Sequence, residues 1–122
     1  MTLLDADEIR APITGRPREQ LDDLEVFAEI ESTNSYLMSE PAPLAGRFRV
    51  ALAEHQTAGR GRMARRWYSP GSSGLCMSMA YTFSHARADL SAVTLAAGVG
   101  VARALAAAGV PGVRLKLSLI PI

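Results

Sequence analysis

Apolar and polar residues alternate most regularly near the middle of the chain. Leu75, Met77, Met79, Tyr81 and Phe83 fall on one side of the pattern, and Cys76, Ser78, Ala80 and Thr82 on the other. A period of two predicts a strand there. Two shorter alternations predict strands earlier, with Val26, Ala28 and Ile30 set against Glu25, Phe27 and Glu29, and Phe48, Val50 and Leu52 against Arg49, Ala51 and Ala53. Between them Ser32 or Thr33 can cap a short helix that runs to about Ser39 and stops before Pro41. From about Leu90 to Ala108 the apolar run predicts a helix, with Asp89 or Ser91 as its cap and Gly109 as its stop. It is apolar nearly all round, which predicts extensive burial. Gly98 and Gly100 each cost such a helix about 1 kcal/mol, and close packing against a sheet is the expected reason for keeping them. Val113 to Lys116 is expected to begin a further strand. Residues 1 to 24 are polar and broken by Pro12, Gly15 and Pro17, which reads as a short helix or linker. Strands around one long helix give an α+β or α/β class.

A chain of 122 residues forms one modest domain. Net charge is +1, so no bulk field favours nucleic acid or a membrane. A single cysteine, Cys76, excludes an internal disulfide and fits a reducing compartment. No charged-then-apolar leader opens the chain, and the longest apolar stretch, Ala92 to Ala102, is interrupted at Arg103. The expectation is a cytoplasmic protein that does not engage a membrane. Lysine occurs once, at Lys116, against twelve arginines. Any role that needs a lysine therefore has one candidate.

Charge becomes informative only where it is local. Arg60, Arg62, Arg65 and Arg66 lie within seven residues, with Gly59 and Gly61 before the first two and Trp67 straight after the last. Glycine lets the backbone approach a ligand closely, and arginine forks match phosphate oxygens two bonds at a time. The order suggests a loop that closes over an anion rather than an ordinary solvated charge run. A Walker loop is excluded, because no Gly-Lys-Ser/Thr triplet exists. A dinucleotide fingerprint is formally present in Gly59 to Ala64, but Pro70, Gly71 and Gly74 forbid the helix that must follow. An arginine-rich flap over an acyl-phosphate or nucleotide is the remaining phosphate reading. No metal-ligand spacing occurs. His55 and His85 read as structural or exposed, and Cys76 as an inert residue on the opposite strand face.

The segment from Glu31 to Lys116 resembles the biotin–protein ligases. The matching pieces are Ser32-Thr33-Asn34, Glu54 through Arg62, then Arg65, Trp67, Ser69-Pro70, Leu75 and Ser78, and finally Val113-Arg114-Leu115-Lys116. The resemblance implies an α+β fold, a mixed β-sheet with flanking helices like that of class II synthetases. It divides the chain into a lead-in at 1–24, a partial catalytic domain at 25–116 and an apolar tail at 117–122. The implied activity is that of a biotin–[acetyl-CoA-carboxylase] ligase, with biotin and ATP as substrates and Mg2+ arriving with ATP. A lysine in the biotin carboxyl carrier domain of a carboxylase is the implied acceptor. By the same resemblance Ser32, Thr33 and Gln56 hydrogen-bond the ureido ring. Asn34 follows in the motif, with plain helix capping as its other role. Gly59, Arg60, Gly61 and Arg62 form the flap. Trp67 walls the ligand or anchors the loop in the core. Lys116 meets the biotin carboxylate and the α-phosphate, and Lys116 and Arg62 are the implied catalytic residues. DNA is an implied partner only if the intact gene carries an N-terminal winged helix, and a homodimer is implied only for the intact protein. Two other readings stand beside this one: lipoate–protein ligase-like acyl transfer, and a non-enzymatic module that binds nucleic acid through the arginine loop.

The sequence departs from that family twice. Ala64 stands where a glycine is usual. After Lys116 the family continues with Trp-Pro-Asn-Asp, whereas this chain reads Leu117-Ser118-Leu119-Ile120-Pro121-Ile122. The expectation is a frame shift or truncated gene model after Lys116, and a product of low stability and little or no turnover.

Overall fold

The computed structural model describes residues 4–61, 63, 65, 66, 74–86 and 88–115. They form two compact units, divided between His85 and Ala86. The first unit carries α1 (Ala6–Arg10), α2 (Arg16–Gln20), β1 (Leu21–Ile30), α3 (Thr33–Ser39), β2 (Phe48–Gln56) and β3 (Cys76–Tyr81); the second carries α4 (Leu90–Ala107).

The three strands form a mixed sheet in the order β1-β2-β3. β1 and β2 run parallel and are joined through α3, while β3 lies antiparallel to β2. Parallel neighbours require such a crossover. Register sorts the sheet into two faces. Leu24 pairs with Val50 and Val26 with Leu52, and these face a cluster completed by Leu4, Ala6, Ile9 and Ile13. Residues 4–24 therefore do more than lead in: they contribute side chains to the core, and β1 begins at Leu21, ahead of the alternation that announced it. On the other face lie Ala51 and Ala53, both fully buried. Their small side chains leave room for α3, whose Thr33 and Leu37 are buried. Tyr36 of α3 packs edge-on against Phe27, with ring centroids 5.0 Å apart. Its hydroxyl donates to Glu25 Oε2 at 2.5 Å. That bond needs the phenolic proton and pushes the Tyr36 pKa above the ordinary phenol range.

The acidic start of β1 is matched by arginines on β2. Arg49 Nη2 donates to Asp23 Oδ2 at 3.2 Å and to Glu25 Oε1 at 3.5 Å. Arg47 Nε lies 2.9 Å from Asp22 Oδ1 at an angle that gives an ion pair without a hydrogen bond. Asp23 is held below its ordinary value of 3.8, first by hydrogen bonding with the Glu25 side chain and then by Arg49 and the Leu24 N–H. A depressed carboxyl binds fewer protons folded than unfolded, so its contribution is present above the unfolded pKa and is lost as pH falls through the folded one. The urea midpoint should therefore hold between pH 7 and about 5 and drop below about 4. Asp23→Asn should flatten part of that drop. An unchanged acid limb in the variant would refute the assignment.

In the second unit, α4 starts after Asp89 and ends at Ala108. Gly109 follows with φ 87, a left-handed conformation open to glycine without strain. Its N–H reaches Ala106 O, and the Val110 N–H reaches Leu105 O, which closes the helix end. Two expectations are corrected here. No α4 residue is buried, because within its own unit little besides the segment after Gly109 is available to cover it. Residues 113–115 are not in a strand, and the rest of the strand expected there, from Lys116, lies outside the described residues. Within this unit a Cβ on Gly98 would meet Leu115 Cδ2 at 3.4 Å. By length and composition the 18-residue α4 also reaches the lower limit of a membrane span, which the interrupted run did not predict. A soluble protein's core helix passes the same test.

Candidate functional site

The crossover brings the polar residues of the Ser-Thr-Asn and Glu-His-Gln segments to one place. Ser32 follows β1 after Glu31 and Gln56 ends β2, so both lie at the carboxyl ends of parallel strands. Binding sites in sheets with parallel crossovers form there, because the loops diverge and leave a crevice. Ser32 is the N-cap of α3, its Oγ accepting from the Ser35 N–H at 3.2 Å. Thr33, the next residue, is 2% exposed. Its backbone N–H donates to Gln56 Oε1 at 2.8 Å, and its Oγ1 donates to the same oxygen at 3.0 Å. On the other side Thr33 Oγ1 lies 2.8 Å from Ser78 Oγ, on β3. Three elements are thereby stitched at one point.

These residues line a cavity of about 420 Å³ with Asn34, Arg60, Gly74, Leu75, Cys76 and Met77. That volume suits a small molecule. The lining is mixed, with Ser32, Thr33, Gln56 and Ser78 polar and Leu75 and Met77 apolar, Met77 from the β3 position paired with Leu52. Arg60 supplies the cation. Its Nη2 donates to Ser35 Oγ at 2.6 Å, which docks the loop on the first turn of α3.

The arginine loop leaves β2 through two further backbone bonds, Thr57 N–H to Ile30 O and Ala58 N–H to Glu31 O. It then folds back on itself. Arg60 pairs with Arg66 in an isolated antiparallel bridge, and the Gly61 N–H donates to Arg65 O at 2.6 Å. Gly59 is buried beneath it. Met63 holds φ 60, left-handed for a residue with a Cβ, and its side chain is 82% exposed. Such a conformation costs a non-glycine residue roughly 1 kcal/mol.

Of the residues singled out in the sequence, Ser32, Thr33, Asn34, Gln56 and Arg60 meet at this cavity, and Gly59 and Gly61 shape the loop beside it. Arg62, Ala64, Trp67 and Lys116 lie outside the described residues. Asn34 does not cap α3; Ser32 does, and Asn34 Nδ2 reaches Met38 Sδ at 3.7 Å. Cys76 lies on the strand face opposite Met77 and Met79, as expected, and there it lines the cavity with Ser78. Sequence reasoning gave no role to Ser35, whose hydroxyl receives Arg60. A serine one turn into a helix carries no signal until the loop that meets it is placed.

Residues 26–118 match the model of the biotin/lipoate A/B protein ligase family. The chain belongs to that family. Among relatives of the biotin/lipoate ligase family, it is 35% identical over 116 residues to the bifunctional ligase/repressor BirA of Salmonella typhimurium, a match covering 93% of this chain and 33% of that protein. It is 35% identical over 91 residues to the bifunctional ligase/repressor BirA of Escherichia coli, covering 75% and 28% respectively. It is 37% identical over 86 residues to the biotin–[acetyl-CoA-carboxylase] ligase of Mycobacterium tuberculosis, covering 63% and 32%. The chain thus spans about a third of the length of the relatives it matches. The small mixed sheet with flanking helices fits an α+β ligase domain of this kind.

Proposed function

We propose that this chain carries the biotin-recognition part of a biotin–protein ligase. The observation that carries the reading is the hydrogen-bonded meeting of Thr33, Gln56 and Ser78 in the wall of the cavity beside Arg60. A ureido ring presents one carbonyl and two N–H groups, and such a wall can satisfy it, with Leu75 among the lining residues to meet its apolar neighbours. In the parent reaction the biotin carboxylate attacks the α-phosphate of ATP and pyrophosphate leaves. A lysine amine of a carboxylase carrier domain then attacks the biotinoyl carbonyl and AMP leaves. Both substrates of the first step are anionic, so a fixed cation lowers their repulsion and stabilises charge in the transition state. Arg60 is placed for that role. Family resemblance gives Arg62 and Lys116 the same task, and puts Trp67 against the ligand. Flap closure over the cavity also keeps water from a reactive adenylate. The name of the relative from Mycobacterium tuberculosis, a biotin–[acetyl-CoA-carboxylase] ligase, favours biotin over lipoate, and the polar wall suits a urea better than a dithiolane.

A thermal melt of the purified chain tests this reading. Saturating biotin at about one hundred times its Kd stabilises by about 2.7 kcal/mol, which should raise the melting temperature clearly. Lipoate should leave it unchanged. Stabilisation by lipoate and not by biotin, or by neither, contradicts the proposal.

A further inference from the structure

The hydrogen bonds at the cavity wall run in one direction. A backbone N–H can only donate, so the Gln56 atom that faces Thr33 N at 2.8 Å is the carbonyl oxygen, and the side-chain amide has one orientation. Thr33 Oγ1 lies 3.0 Å from that same oxygen and must give it its single proton. Thr33 Oγ1 can then only accept from Ser78, 2.8 Å away. Ser78 spends its proton on Thr33 and has only lone pairs left. Gln56 has its oxygen engaged twice and its Nε2 hydrogens without a partner among the described residues. Ser32 Oγ, accepting from Ser35 N, keeps its own proton.

We propose that Ser78 is a specificity-determining positioning residue, setting the polarity of the cavity wall through Thr33 and Gln56 and leaving its own oxygen as the acceptor for a ligand N–H. This rests on the biotin reading for the identity of the ligand but not for the direction of the relay. The wall then offers donors from Gln56 and Ser32, and one acceptor at Ser78. It complements a carbonyl with an N–H beside it. A carboxylate, or a ring with oxygen in place of that N–H, would set lone pairs against lone pairs, a desolvated mismatch that hydrogen-bonding sites reject strongly. Specificity thus comes from a residue on β3, remote in sequence from both motifs that line the wall.

Two measurements test it. In the first, calorimetry compares the two cyclic carbamate analogues of biotin, each with a different ureido N–H replaced by oxygen. The wild-type chain should bind one about tenfold more weakly than the other. Ser78→Ala should bind the two within about twofold and should lose about tenfold for biotin itself. Ser78→Thr, which keeps the hydroxyl, should restore the discrimination. An alanine variant that still discriminates between the analogues overturns the proposal. In the second, the Gln56 side-chain amide resonances are followed without ligand. Ser78→Ala should shift both Nε2 protons and Ser78→Thr should not. Unmoved resonances in Ser78→Ala overturn the relay whether or not biotin binds. If biotin fails to bind the wild-type chain while the resonances move, the ligand assignment fails and the relay stands.

Discussion

Thr33→Val should destabilise the chain by about 1–3 kcal/mol and, on the proposed biotin reading, weaken biotin binding at least about tenfold. Valine reproduces the shape of threonine, so the change removes a hydroxyl and little else. Thr33 is 2% exposed, and water cannot readily replace what is lost. The Ser78 proton would have no acceptor at 2.8 Å, and Gln56 Oε1 would keep only the Thr33 N–H. A buried polar group left unmatched costs its full desolvation, which is larger than the net worth of the bond it made. Thr33→Ser is the control: it keeps the relay and deletes one methyl, about 0.8 kcal/mol. Urea denaturation and biotin titration of the three chains separate the terms. If valine is tolerated better than serine, packing and not hydrogen bonding holds this corner, and the account given for the site is wrong.

The second large effect lies on the opposite face of the sheet. Leu52→Ala should cost about 2–5 kcal/mol. Leu52 sits on the central strand, 5% exposed, between Val26 of β1 and Met77 of β3. The cluster around it has two other buried members, Leu24 and Val50. So small a core cannot relax into the space that a leucine vacates, and typical domains have only about 5–15 kcal/mol in total. A large fraction of the variant should be unfolded at 25 °C. Met79→Ala is the companion measurement. Met79 projects to the same face opposite Val50 but is 57% exposed, so its truncation should cost under about 0.5 kcal/mol. Equal losses at the two positions would mean that burial does not rank these side chains.

Much of this was legible in the residues. The alternation from Leu75 to Phe83 and the Ser32 cap both located their elements, because each depends on neighbours in sequence. The alternation marks only the second half of the strand at Leu21–Ile30, since its first half is dominated by Asp22, Asp23 and Glu25, whose partners Arg47 and Arg49 become visible only once β2 is paired with it. Helix α4 was legible as a helix but not in its exposure: an all-round apolar sequence states a demand for cover, not its supply. The site shows the same division. Ser32, Thr33, Gln56 and Arg60 could be singled out by motif. Ser35 and the role of Ser78 depend on contacts across 25 and 45 residues, which no local pattern carries.

Those separations also govern when the site comes into being. The Thr33–Gln56 bond spans 23 residues and the Thr33–Ser78 bond 45, so neither can close until β2 has docked on β1 and β3 on β2. Contacts that long carry the loop-closure cost of the whole sheet and belong to the late side of the folding barrier. A ligand gripping this corner should therefore leave the refolding rate nearly unchanged and slow unfolding, acting as a clasp on a sheet already assembled rather than as a seed for it.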